Sequence, residues 1–76
     1  MNFVKIRFVG IDSFNRPIFI DKFKNYYGAI DLLFDRDATE EHVLNKVKKE
    51  DITYFGKTFG CEPSGYECKV VFEKRN

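Results

Sequence analysis

The sequence has no tryptophan, one histidine, two cysteines and two prolines among its 76 residues, and its formal net charge is only +1. So small a net charge excludes binding to nucleic acid or anionic lipid through bulk charge. No apolar run approaches the roughly 20 residues that a membrane-spanning helix requires. A structural zinc site needs four ligands, and Cys61, Cys68 and His42 do not supply them. Metal-bound and membrane-embedded classes are therefore not expected.

The chain is rich in aromatic and apolar residues. Hydrophobic residues make up 43% and aromatic residues 17%, including nine Phe and four Tyr, so the composition is not that of a disordered chain. A chain this short builds one core, which predicts a single domain over residues 1–76. The N-terminus lacks the apolar centre of a signal peptide, so we expect a cytoplasmic protein. Reduced thiols at Cys61 and Cys68 then fit the compartment better than the alternative, a disulfide closing the loop between them.

The pattern of apolar residues predicts five strands and one helix. Alternation places strands at 3–9 and 66–74, apolar stretches bounded by turn residues place strands at 16–21, 26–30 and 52–58, and a one-sided apolar stripe places a helix over 39–50. Either Asp37, with Glu40 at capping-box spacing, or Thr39 begins that helix. The predicted fold class is α+β, in the order β-β-β-α-β-β, with one helix packed on one face of an antiparallel sheet. Gly28 is expected to mark a bulge or bend. The predicted core comprises Val4, Ile6, Phe8, Ile18, Ile20, Val43, Leu44, Val47, Val70 and Phe72.

Catalytic patterns are lacking. Ser13 and Ser64 have no neighbouring histidine to activate them. The string Gly56-Lys57-Thr58 resembles the end of a phosphate-binding loop, but Asp51 occupies the position of its first glycine. We therefore expect a protein that is not an enzyme and that uses no cofactor and no metal.

A protein-binding module is the leading hypothesis. Residues 31–41 hold five acids beside Leu32, Leu33 and Phe34, and exposed apolar patches rimmed by charge mark interaction sites. Two other interpretations stay open. Leu32, Leu33 and Phe34 plug the open end of the sheet beneath the helix entry, and the acids form a solvated edge rather than a calcium site. The candidate partner-binding residues are Asp31, Asp35, Asp37, Glu40 and Glu41, followed by Phe14, Tyr26 and Tyr27.

Two alternative functions compete with it. The first is a nucleic-acid-binding sheet in which Lys5 and Arg7 share a solvent face with Phe3 and Phe19, so that bases stack on the rings. The second is an oligomeric binder of a small ligand or a nucleotide. The oligomeric state itself is not predicted.

Two short motifs resemble a known group. Residues 8–19, FVGIDSFNRPIF, follow the pattern F-x-G-x-D-x-aromatic-x-R-P-aliphatic-aromatic, and residues 59–63, FGCEP, follow F-x-G-E-P with Cys61 where glycine is usual. These motifs resemble the polyvalent-protein-associated domains of phages and conjugative elements. The resemblance implies no catalytic residue; it implies a mobile-element protein, and hence an inhibitor of a host defence protein, of the anti-CRISPR or anti-restriction kind. In physical terms the first motif is a turn in which Asp12 and Ser13 bond the backbone and Arg16 pairs with Asp12.

Overall fold

The computed structural model describes residues 3–57 and 70–73. Its elements are β1 (Val4–Ile11), β2 (Pro17–Ile20), β3 (Tyr26–Ala29), α1 (Glu40–Lys46), a 3₁₀ helix (Lys49–Asp51), β4 (Ile52–Gly56) and β5 (Val70–Phe72). The strands form one sheet in the order β4-β3-β2-β1-β5. The predicted α+β class is confirmed. The part of the predicted fifth strand over 66–69 lies outside the described residues.

The prediction of an all-antiparallel sheet is wrong, because β5 pairs with β1 in parallel, Val4 opposite Val70. The other three pairings are antiparallel. Strand β5 runs antiparallel to β4, as it would in a meander. It does not pair with β4, however, but joins the opposite edge of the sheet, beside β1. Alternation along one strand carries no information about which edge that strand joins. The predicted element order also differs, since a 3₁₀ helix stands between α1 and β4.

Helix α1 is shorter than the predicted span of 39–50. It begins after Thr39, whose Oγ1 accepts the N–H of His42 at 3.2 Å, which selects Thr39 over Asp37 as the cap. It ends at Lys46, because Val47 is already extended although its N–H still bonds the Val43 carbonyl. Beyond it, the Asp51 carboxylate accepts the N–H of Lys48 at 2.9 Å, a local bond that competes with continued helix.

The core lies between one face of the sheet and α1. Its centre is a contact of three rings, with Phe19 5.8 Å from Phe8 and 5.3 Å from Phe72 between centroids. Predicted core residues that are buried in this cluster are Ile6, Phe8, Val43, Val47 and Val70, while Val4, Leu44 and Phe72 pack against it half-buried.

The face of β2 that points into the core is opposite to the predicted one. Phe19 pairs with Phe8 on one side and Tyr27 on the other, so it points into the core and is fully buried. Ile18 is also fully buried, but it lies on the other face of the sheet, and Ile20 on that face is half-buried. The predicted inward orientation of Ile18 and Ile20 is therefore wrong. A strand that is apolar at every position gives no alternation from which to choose a face.

Two irregularities shape the sheet. Strand β1 continues through Gly10 and Ile11, where the sequence predicts a turn, by means of a register shift between Phe8 and Gly10. A second shift falls between Tyr26 and Tyr27, next to Gly28 rather than at it. A Cβ on Gly28 would stand 2.7 Å from the Pro17 carbonyl oxygen and 2.8 Å from the Phe55 ring. Gly28 is thus the place where the Phe55 ring lies directly on the backbone of β3.

Within the described ranges, no helix has both the length and the apolar character needed to cross a bilayer.

Candidate protein-binding surface

The two turns that flank β2 have the same construction. Residues 12–16 (DSFNR) and 21–25 (DKFKN) share the pattern D-x-F-x-x. In each turn, one aspartate oxygen accepts the N–H groups two and four residues later, and the fourth residue has positive φ, 65° at Asn15 and 66° at Lys24. In each, the phenylalanine is 63% exposed. Since β2 joins them, the turns lie at opposite ends of the sheet.

The turn at residues 12–16 is closed by a buried ion pair. Arg16 donates from both Nε and Nη2 to Asp12 Oδ2, each at 2.7 Å, which confirms the predicted pairing. The guanidinium carbon lies 4.7 Å from the centroid of Phe55 and 5.1 Å from that of Phe14. Asp12 and Arg16 are 4% and 8% exposed, so this charge pair belongs to the interior and needs both partners.

The turn at residues 21–25 is held by Asp21 without an arginine. Its carboxylate accepts the N–H groups of Phe23 and Asn25, the Asn25 side-chain amide and, at 2.8 Å, the hydroxyl of Tyr27. Burial raises the pKa of Asp21, but the four hydrogen bonds outweigh burial and hold that pKa below its ordinary value. The turn is therefore held by an ionised carboxylate.

The acidic segment, residues 31–41, is fixed to the first of these turns. The Phe34 N–H donates to the Asn15 carbonyl at 2.8 Å, and Asn15 Nδ2 donates to the Phe34 carbonyl at 2.9 Å. The positive φ of Asn15 turns both of its groups toward the segment, a conformation that asparagine tolerates better than most residues. The segment therefore lies at the end of the sheet that carries the turn at 12–16.

A shallow depression of about 460 Å³ forms where the segment meets α1, lined by Asn15, Leu33, Asp35, His42 and Lys46 among others. Phe34 packs edge-on against the His42 ring at 5.6 Å and is buried in the core, whereas Leu33 is 67% exposed. The predicted plug and the predicted exposed apolar patch therefore involve different residues. Phe34 plugs the end of the sheet, and Leu33 faces outward.

The predicted partner-binding residues divide into two groups. Asp31, Asp35, Asp37 and Glu41 are exposed along the segment and Glu40 is half-buried. Phe14 is exposed in its turn, on the side of Arg16, and Tyr26 is half-buried on the sheet face away from α1. Tyr27 is buried with its hydroxyl on Asp21, so it is not available to a partner and its assignment as a docking residue is wrong.

The sheet face away from α1 carries a second concave region. This open-face groove has a volume of about 770 Å³ and is lined by Phe3, Lys5, Arg7, Ile20, Lys22, Phe23 and Glu73 among others. It brings together three of the residues predicted for nucleic-acid binding, Phe3, Lys5 and Arg7, but not the fourth, because Phe19 is inside the core. The sequence reasoning missed Lys22 and Phe23, which the repeated D-x-F-x-x pattern would have indicated.

Within residues 3–57 and 70–73, no three histidine, cysteine, aspartate or glutamate side chains gather in a way that would hold a metal ion. Cys61, Cys68, Ser64, Thr58 and the motif at 59–63 lie outside the described residues. Comparisons with protein-family models, with curated proteins and with solved structures found no match.

Proposed function

We propose that this domain is a small protein-binding module that acts by covering a basic surface of its partner with the acidic segment, residues 31–41. The observation that carries the proposal is which side chains of that segment are exposed to solvent. Four exposed carboxylates, those of Asp31, Asp35, Asp37 and Glu41, share the segment with Leu33, an aliphatic side chain with two thirds of its surface in solvent, and Asp35 lines the same depression as Leu33. Apolar residues rimmed by charge are the usual composition of a protein interface.

The segment is also held in place before any partner arrives. The paired bonds between Asn15 and Phe34 fix its middle, the buried Phe34 ring anchors it to the core, and the Thr39 cap fixes its junction with α1. A preorganised loop loses less conformational entropy on binding than a free one. This rigidity supports a docking role over that of a loosely solvated edge.

The partner class follows from the charge. Acidic side chains at a rim steer association with a basic surface and act mainly on the association rate. Proteins that bind nucleic acid present such a surface, and the resemblance of residues 8–19 to mobile-element domains favours a host defence nuclease among them. Occupation of that surface excludes the nucleic acid and inhibits the partner without any chemical step.

A comparative pulldown tests the proposal. Tagged wild-type protein and the triple variant Asp31→Lys, Asp35→Lys, Glu41→Lys are each incubated in bacterial lysate, and captured proteins are quantified by mass spectrometry. We expect a basic protein that is retained by the wild type, lost with the triple variant and reduced with Leu33→Ser. The capping residue Thr39 is left unchanged so that α1 persists.

A pair of single-site variants distinguishes an effect of the acidic segment from a general effect of reversing one surface charge. Asp35→Lys and Glu50→Lys make the same change of charge on exposed residues, but only the first lies in the acidic segment. Equal capture by both variants and by the wild type at low salt, with circular dichroism unchanged, would exclude the segment as the interface.

A further inference from the structure

The open-face groove lies at the opposite end of the sheet from the acidic segment. The segment follows the end of β3 and bonds the turn at 12–16, whereas the groove lies at the start of β1 and the turn at 21–25. A ligand of the groove therefore does not have to be the partner of the segment. Binding in the groove is an activity beyond the proposed function, and it stands or fails independently of the segment.

Two exposed aromatic rings border the groove. Phe3 is 56% and Phe23 is 63% exposed, whereas Phe8, Phe19 and Phe55 are buried. The Phe23 backbone is fixed, because its N–H donates to Asp21 at 2.8 Å and its carbonyl accepts from Lys57 Nζ at 2.9 Å. The ring is thus held out toward solvent by a turn that is itself rigid.

Cations accompany both rings. Lys5 and Arg7 follow Phe3 at alternate positions of β1, so all three side chains leave the sheet on one face. Lys22 Nζ lies 5.2 Å from the centroid of Phe23. Two carboxylates also line the groove, but that of Asp21 is buried and engaged by its own turn, which leaves Glu73 as the exposed one. The accessible charge of the groove is therefore positive.

We propose that the open-face groove binds single-stranded nucleic acid, with bases stacked on Phe3 and Phe23 and phosphates bound by Lys5, Arg7 and Lys22. Interleaved cations and exposed rings are the combination that binds single strands without sequence preference. A duplex hides the faces of its bases, so it offers the cations their phosphates but offers the rings nothing. An acidic peptide would use the cations alone. The aromatic contribution is what distinguishes the proposed ligand.

The binding assay uses a fluorescein-labelled 12-mer of deoxythymidine and the full chain, followed by fluorescence anisotropy. Three phosphate contacts on a single strand predict a slope of log K against log salt of about −2, so affinity should fall roughly 20-fold between 50 and 200 mM NaCl. Absence of binding at 50 mM NaCl, or binding that salt does not change, would overturn the proposal.

The repeated turn supplies a matched control for stacking. Phe23→Ala and Phe14→Ala remove the same side chain, with the same exposure, from the same turn conformation, but only Phe23 borders the groove. Loss of one stacked base weakens binding by at least about fivefold. We expect that loss for Phe23→Ala and less than a twofold change for Phe14→Ala. Equal effects of the two variants would contradict stacking in the groove.

Charge is tested in the same way. Lys22→Glu should weaken binding of the 12-mer more than tenfold, whereas Lys49→Glu, an equal charge change on the exposed 3₁₀ helix, should change it far less. A 12-base-pair duplex should compete poorly with the single strand. Equal competition by duplex and single strand would show that the rings take no part, and would overturn the proposal.

Discussion

The buried ion pair between Asp12 and Arg16 offers the most informative test of how this fold is held together. Substitution Asp12→Ala removes the acceptor for two backbone N–H groups and for the guanidinium. It leaves Arg16 charged at a site that is 8% exposed, between the rings of Phe14 and Phe55. The arginine cannot lose its proton, so without the Asp12 carboxylate its charge must remain buried or break open the turn.

The expected magnitude is large for a domain of this size. Removal of one partner from a buried pair costs about 3–5 kcal/mol. A chain of this length has a free energy of unfolding of roughly 4–11 kcal/mol. At about 4–8 °C per kcal/mol, the midpoint of thermal unfolding should fall by at least about 12 °C. Tyrosine fluorescence and far-ultraviolet circular dichroism follow the transition, since the chain has no tryptophan.

The double variant Asp12→Ala, Arg16→Met decides whether buried charge is the cause. Methionine fills part of the arginine volume without a charge, so the double variant should recover at least about 1 kcal/mol relative to Asp12→Ala alone. The variant Asp21→Ala is the comparison. It also removes the acceptor of two turn N–H groups, together with the bonds from the Asn25 amide and the Tyr27 hydroxyl, but it leaves no buried cation behind. If the double variant is no more stable than Asp12→Ala, the turn hydrogen bonds alone account for the loss and the argument from buried charge is refuted.

Three further outcomes depend on particular residues. Val70→Asp should leave the domain unfolded by circular dichroism, because Val70 is only 1% exposed and lies in the core. The control Val71→Asp, at the next and half-buried position, should fold. A folded Val70→Asp variant would refute the register of β5. The folded-state pKa of Asp21 is lowered from 3.8, so its ionisation stabilises the fold above that pH, and the contribution disappears as pH falls through the folded pKa. Urea unfolding should show wild type more stable than Asp21→Asn at pH 7, with the difference in free energy of unfolding narrowing below about pH 4. A difference that stays constant with pH would contradict this. Gly28→Ala should lower the free energy of unfolding by about 1–3 kcal/mol, because its Cβ would meet a backbone oxygen that cannot rotate away, and an unchanged urea midpoint would refute the close approach.

How far the sequence predicted this fold depended on whether neighbouring residues differed in polarity. In β1, Lys5 and Arg7 alternate with Ile6 and Phe8, and the predicted face is correct. In β2, three consecutive apolar residues give no alternation, and the face is settled only by the pairing of Phe19 with Phe8. The parallel edge formed by β5 is a non-local choice of the same kind, which no pattern within the strand expresses.

The candidate site was predictable where it is contiguous in sequence. The acidic segment is visible as a run of carboxylates, and its exposure follows from its position before a helix. That Phe34 is buried while Leu33 is exposed was not predictable. It depends on two hydrogen bonds between Phe34 and Asn15, which is far away in the chain. The misassignment of Tyr27 has the same origin. Its hydroxyl is compatible with burial only because Asp21 accepts it, and that partner is defined by the turn.

The net charge of +1 also concealed how the charges are distributed. It argues against bulk-charge binding, but it does not show that folding places Asp31, Asp35 and Asp37 at one end of the sheet and Lys5, Arg7 and Lys22 at the other. That separation follows from the topology, because the two turns flanking β2 lie at opposite ends and each recruits a different part of the chain. Fields from exposed charges decay within about 8 Å at physiological ionic strength, and the domain extends 33 Å along its longest axis. Each end therefore presents its own sign of charge to solvent, although the chain as a whole is nearly neutral.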